Sequence, residues 1–109
     1  MANKYNLDTF TGGWFIGDFE PSLFKNNNFE VAVKYFKAGS NEPAHFQKTV
    51  VEFTVIVLGK CILAGFECGP NDIVKIDPME LASFIAIEDC VLISIKSPSI
   101  PNDKVLGSK

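Results

Sequence analysis

Arginine is missing from this chain, and all ten of its basic residues are lysines scattered singly along the sequence. Guanidinium forks and a basic stripe are therefore absent, and 13 acidic residues bring the formal charge to -3, so nucleic acid is not an expected partner. Long apolar runs are missing too. The longest, Val50 to Leu58, contains Glu52 and falls far short of the roughly 20 residues that a membrane-spanning helix needs. The opening "MANKYNLDTF" lacks the apolar core of a secretory signal. No membrane partner is expected, and the location read from these absences is cytoplasmic. Cysteine is scarce and odd in number. Cys61, Cys68 and Cys90 cannot all pair within one chain, and their spacing matches neither a zinc ribbon nor a C-x-x-C redox pair. They read as small buried hydrophobes in or beside strands. A catalytic cysteine would want His45, the only histidine, beside it.

Helix signals are equally scarce: no window of a dozen residues places apolar side chains at three-four spacing behind a capping box. Short segments rich in β-branched and aromatic residues recur instead between turn signals. The strands expected are Trp14–Asp18, Phe29–Lys37, Pro43–Gln47, Glu52–Leu58, Lys60–Phe66, Ile73–Ile76, Ala82–Ile87 and Val91–Lys96. That pattern is all-β, and it implies a sandwich, jelly roll or small barrel in a single domain of 109 residues. Residues 1–28 read as an N-terminal arm with the first strand, 29–96 as the barrel core and 97–109 as an extended tail. Pro98 and Pro101 motivate the tail, since neither can donate to a β-ladder.

Alternation refines the strands. In Phe29–Lys37, Phe29, Val31, Val33 and Tyr35 share one face while Glu30, Ala32, Lys34 and Phe36 share the other, as expected where one side meets the core. In Glu52–Leu58 both faces are apolar, with Phe53, Val55 and Val57 opposed to Thr54, Ile56 and Leu58. A strand covered on both sides of a small barrel needs a second cover, either from an N-terminal arm or from another subunit. The aromatic cluster Trp14, Phe15, Phe19 and Phe24 could be that arm, or could close one end of the barrel's own core. A homodimer is the expected assembly.

The most informative stretch is "GSNEPAHFQKTVVEFTVIVLG", Gly39 to Gly59. Five residues separate Gly39 from His45, one separates His45 from Gln47, four precede Glu52 and six precede Gly59. This spacing resembles the first motif of the cupin superfamily, G-x5-H-x-H-x3,4-E-x6-G, with Gln47 in place of the second histidine. The resemblance extends over most of the chain and implies a double-stranded β-helix, the cupin jelly-roll barrel. Residues two apart on a strand share a face, so His45 and Gln47 can both look into a barrel. Glu52 joins them only if the chain turns at Lys48–Val51, and "KTVV" is poor turn chemistry.

In metal-bearing cupins a second motif, G-x5-P-x-G-x2-H-x3-N, supplies a further histidine. Aligned here, Asn71, Asp77, Met79, Ala82 and Ala86 stand at its defining positions, so Ala82 replaces that histidine. Of four implied ligands, His45 and Glu52 survive. No metal or other cofactor is therefore expected, with a divalent metal at low occupancy, held by His45, Glu52 and Gln47, as the alternative. His45 and Glu52 also read as a hydrogen-bonded structural pair at the barrel mouth.

Two functions from different classes stay open. In one, the barrel binds a small polar, sugar-like molecule around His45 and Glu52, with Gln47, Tyr35 and Lys34 as ligand-binding candidates. If it is an enzyme, the resemblance implies a metal-independent isomerase or epimerase in which His45 is acid or base and Glu52 orients it. In the other, the chain is a non-catalytic dimeric interaction module.

Overall fold

The computed structural model describes residues 1–107, so the expected tail positions Ser108 and Lys109 lie outside the described residues. Two short 3-10 turns, Leu7–Thr9 and Thr11–Gly13, precede ten strands. These are β1 (Trp14–Ile16), β2 (Glu30–Phe36), β3 (Asn41–Gln47), β4 (Val51–Leu58), β5 (Cys61–Leu63), β6 (Phe66–Cys68), β7 (Ile73–Ile76), β8 (Ala82–Ala86), β9 (Cys90–Ser97) and β10 (Lys104–Leu106). They form two five-stranded sheets, β1-β2-β9-β4-β7 and β10-β3-β8-β5-β6, with every pairing antiparallel. This is the all-β jelly roll that the sequence predicts.

The core follows from alternation. Val74 and Ile76 of β7 and Ala82, Phe84 and Ala86 of β8 are buried while their neighbours in each strand are exposed. Small residues flanking Phe84 leave room for its ring to pack on Phe36, with centroids 4.6 Å apart. Ile56 is the largest fully buried side chain, and burial of a side chain its size stabilises the fold by about 1.5–3 kcal/mol.

The three cysteines sit in this core. All are buried and free, with Cys61 and Cys68 directly opposed on β5 and β6. Burial, reinforced by the neighbouring sulfurs of Cys68 and Cys90, pushes the Cys61 thiol up to about 12. Native protein should therefore resist a thiol-reactive disulfide reagent at neutral pH, and all three cysteines should react once urea unfolds the chain. Fast stoichiometric labelling of the folded protein would contradict this packing.

Three expectations need correction. The segment Lys60–Phe66 is not one strand but a hairpin, because Ala64 and Gly65 adopt positive φ values of 52° and 84° and reverse the chain between β5 and β6. Residues 97–109 are not simply an extended tail: after Pro98 and Pro101 the chain re-enters the second sheet as β10, whose Lys104, Val105 and Leu106 pair with Gln47, Phe46 and His45. The N-terminal arm does not cover the outer face of β4. Thr54 and Ile56 are buried inside, but Val57 is 46% exposed, as is Leu58 at 57% beyond a bulge that breaks the alternation, and β2 and β9 separate β1 from β4.

Gly59, the last position of the motif, has a structural reason to be glycine. Its φ is 86°, and a Cβ there would collide with the backbone carbonyl of Asp89. The β4–β5 connection consequently packs directly against the start of β9.

Candidate functional site at the barrel mouth

The turn between β3 and β4 decides whether His45 and Glu52 can meet, since these strands belong to different sheets. Nothing local in Lys48–Val51 makes that turn. Asp103, from the segment just before β10, makes it: its Oδ2 accepts the N–H of Thr49 at 2.8 Å and of Val50 at 3.1 Å, while its carbonyl accepts the Lys48 N–H at 3.2 Å. Burial raises the Asp103 pKa, but the Thr49 and Val50 N–H groups outweigh it and hold the carboxyl below its ordinary value.

The turn carries Glu52 across to the wall of the cavity that His45 also lines. The two side chains do not hydrogen-bond each other. His45 Nδ1 lies 3.2 Å from the Pro43 carbonyl, which favours a proton on Nδ1 and leaves Nε2 to accept. Glu52 Oε2 accepts the Thr54 hydroxyl at 2.9 Å. Ala82, aligned with the missing histidine of the second motif, is paired in register with His45 and lines the same cavity.

The other candidates divide. Lys34 lines both this inner cavity and an outer vestibule, whereas Tyr35, on the opposite face of β2, lines the vestibule only. Gln47 is buried, but it lines neither space, and its Nε2 has no hydrogen-bond partner.

Several residues of the site were not anticipated. Lys96 is paired in register with Glu30 on one side and Glu52 on the other, so the row Glu30–Lys96–Glu52 crosses three strands on the inner face. The next row is Ala32–Ser94–Thr54. Burial lowers the Lys96 pKa, with Lys34 and Lys104 adding to it, against the opposing pull of Glu52 and Glu30. Burial raises the Glu30 pKa in turn, against the pull of Lys96. The ammonium groups of Lys34 and Lys96 lie 5.1 and 4.9 Å from the centroid of the Trp14 ring.

Lys34, Glu42 and Lys104 line both spaces and form the neck at which the two adjoin. The inner cavity measures about 30 Å³, which is room for roughly two waters. The vestibule, bounded by Leu7, Phe10 and Trp14 of the N-terminal segment, measures about 580 Å³.

Two antiparallel sheets closed into a jelly roll, with the motif histidine and glutamate brought to one cavity, decide the fold. It is the cupin fold. Among solved structures, an uncharacterized conserved protein with a double-stranded β-helix domain from Klebsiella pneumoniae is 15% identical, with 99% of this chain and 93% of that one aligned at a TM-score of 0.71. KdgF from Halomonas sp. is 18% identical over 71% of this chain and 74% of that one, at 0.65. An RmlC-like cupin from Shewanella frigidimarina is 15% identical over 71% and 72%, at 0.63. No family model and no curated protein matches the chain. At these identities the likeness establishes the fold alone.

The cupin fold raises the question of a metal, and the donor set here fits one poorly. Among the described residues no three histidine, cysteine, aspartate or glutamate side chains cluster closely enough to hold an ion. His45 is the sole imidazole, an alanine stands across from it, and three lysines line the space around it. Zinc and non-haem iron favour several imidazoles or a facial triad. Among the described residues no helix is long and apolar enough to cross a membrane.

Proposed function

We propose that this cupin-fold chain binds a small polar, sugar-like molecule at the barrel mouth, with its body in the vestibule and one polar group reaching into the inner cavity beside His45 and Glu52. The observation that carries this reading is the set of charged side chains, Lys34, Glu42 and Lys104, that the two adjoining spaces share. A barrel used only as a scaffold has no reason to keep such groups at an opening into its core, where desolvation costs stability. The inner cavity is too small for a sugar ring, so the ring sits outside it, against Trp14 and Tyr35.

If proton transfer occurs there, His45 is the group to perform it, through Nε2, with Nδ1 held by the Pro43 carbonyl. Glu52, engaged with Thr54, is placed to contact ligand and not to orient His45. The chemistry proposed needs no metal and is of the isomerase or epimerase kind.

Chemical-shift mapping with labelled protein against a panel of sugars and sugar acids tests the reading. Saturable shifts should cluster on His45, Glu52, Trp14 and Lys34. Shifts confined to other surfaces, or none across the panel, would sink it.

A second reading, an interaction module, is favoured by one observation: the outer face of the first sheet. Val31, Val33, Phe53, Val55, Ile93 and Ile95 all lie on the face opposite the buried positions of β2, β4 and β9. We propose that a second copy of the chain covers this face, a reading compatible with ligand binding at the mouth.

A further inference from the structure

We propose that the molecule taken at the barrel mouth is a small organic monoanion whose carboxylate is held among Lys34, Lys96 and Lys104. The inference rests on the binding reading above and adds the charge class of the ligand.

All three lysines line the inner cavity. Among the described residues the only ion pairs join Lys25 to Glu20 and Lys75 to Asp77, both on the surface, so none of the three cavity lysines is paired. Lys34 and Lys96 instead share one neutral ring, that of Trp14. Two like charges gathered on a single indole repel each other, and the ring offers less than a carboxylate would.

Ser94 is an independent sign. It is 2% exposed, its Oγ has no hydrogen-bond partner, and it lines the same cavity. A buried hydroxyl is rarely left without a partner. The groups short of a partner inside the barrel are thus the Lys96 ammonium and the Ser94 hydroxyl, with the half-buried Lys34 and the exposed Lys104 at the rim, and they share one capacity: all can donate. What they require is an acceptor carrying negative charge.

The neighbouring carboxylates limit that negative charge to one. Glu42 and Glu52 line the same cavity and Glu30 stands in register with Lys96 on the inner face, so the three lysines carry no surplus that could balance a second negative charge. A dianionic phosphate would leave net negative charge in a confined space, and the chain has no arginine to grip phosphate oxygens bidentately. The inner cavity of about 30 Å³ admits a carboxylate head and leaves the remainder of the molecule in the vestibule, where Glu42 can accept from hydroxyl groups.

Trp14 is the only tryptophan and touches two of the three lysines, so its fluorescence reports directly on the site. The full chain is titrated with gluconate, with glycolate, with inorganic phosphate, and with sorbitol, which matches gluconate except for its uncharged end. Gluconate or glycolate should change the emission saturably, at concentrations about tenfold or more below sorbitol and below phosphate, and added sodium chloride should weaken the effect. Lys96→Met and Lys34→Gln should each weaken binding by about tenfold, while Lys25→Gln, on the surface, should leave it unchanged. Lys34→Gln, near the neck, keeps the test valid if the more buried Lys96 change impairs folding. Equal binding of sorbitol and gluconate would overturn the anion assignment and leave the polar-ligand reading standing. Tighter binding of phosphate, or indifference to Lys34→Gln, would also overturn it. No response to any of the four compounds in folded protein would overturn both readings.

Discussion

Asp103→Ala is expected to lower the unfolding free energy by about 2–3 kcal/mol, because the buried N–H of Val50 and the part-buried N–H of Thr49 lose their charged acceptor. The loss reaches beyond the local bonds. Asp103 holds the β3–β4 turn closed, and through that turn it sets the position of Glu52 relative to His45. Asp103→Asn keeps one acceptor oxygen but no charge and should cost about half as much. Urea unfolding of the three proteins at neutral pH measures the series. The pH dependence gives a second check. The folded pKa of Asp103 lies below the unfolded value of about 3.9, so its stabilisation is fully present above roughly pH 5 and is lost as pH falls through the folded pKa. The gap between parent and Asp103→Ala should therefore be constant near neutrality and begin to narrow below about pH 4. An alanine variant as stable as the parent at pH 7 would show that the turn holds itself.

Asp103 also explains how far the sequence could be read. The motif spacing from Gly39 to Gly59 marked a turn, a strand bearing His45 and a second strand bearing Glu52, because those features are encoded within a few residues of each other. The turn joining them is encoded at position 103, more than fifty residues away, and no inspection of "KTVV" reveals it. The same blindness hid Lys104. Two prolines made its surroundings look like a tail, yet Pro98 and Pro101 both precede β10 and interrupt no ladder. Lys96 and Ser94 were more accessible. Period-two alternation along Val91–Lys96 places both on the face of Leu92, and a lysine on a core-facing register is a signal in itself. What alternation could not supply is the cross-strand partner, since the row Glu30–Lys96–Glu52 depends on β2 and β4 flanking β9. The Ala64–Gly65 reversal was masked for a different reason: alanine is an uncommon residue at positive φ, so its segment read as a continuous strand.

Ile93→Glu is expected to convert a dimer into a monomer without unfolding it. Strand pairing aligns Ile73, Val55, Ile93 and Val33 in one row across the outer face of the first sheet, and Phe53, Ile95 and Val31 in the row beside it. Apart from Lys75 at the β7 edge, which continues the second row, these positions carry no charge. An uncharged face can meet its own copy about a two-fold axis without like-charge repulsion, which is what an isologous contact demands. Strands about 4.8 Å apart and residues about 3.3 Å apart give the five-stranded face a plan area on the order of 400 Å². A stable dimer buries about 800 Å² per partner. The difference is within reach of the groove continuous with this face, where Phe15 and Leu23 of the N-terminal segment flank Val33 and Tyr35. Ile93 lies at the centre of the patch, and its side chain faces away from the barrel core, so a carboxylate there leaves the core intact. Across a two-fold axis the change buries two carboxylates without partners, and self-association should weaken by more than about a hundredfold. Sedimentation velocity at micromolar concentration separates the outcomes, with circular dichroism confirming that the variant keeps its strands. A parent protein that sediments only as a 12.0 kDa species would remove the dimer altogether. An Ile93→Glu protein that stays dimeric would move the interface to another surface and leave this face to a different partner.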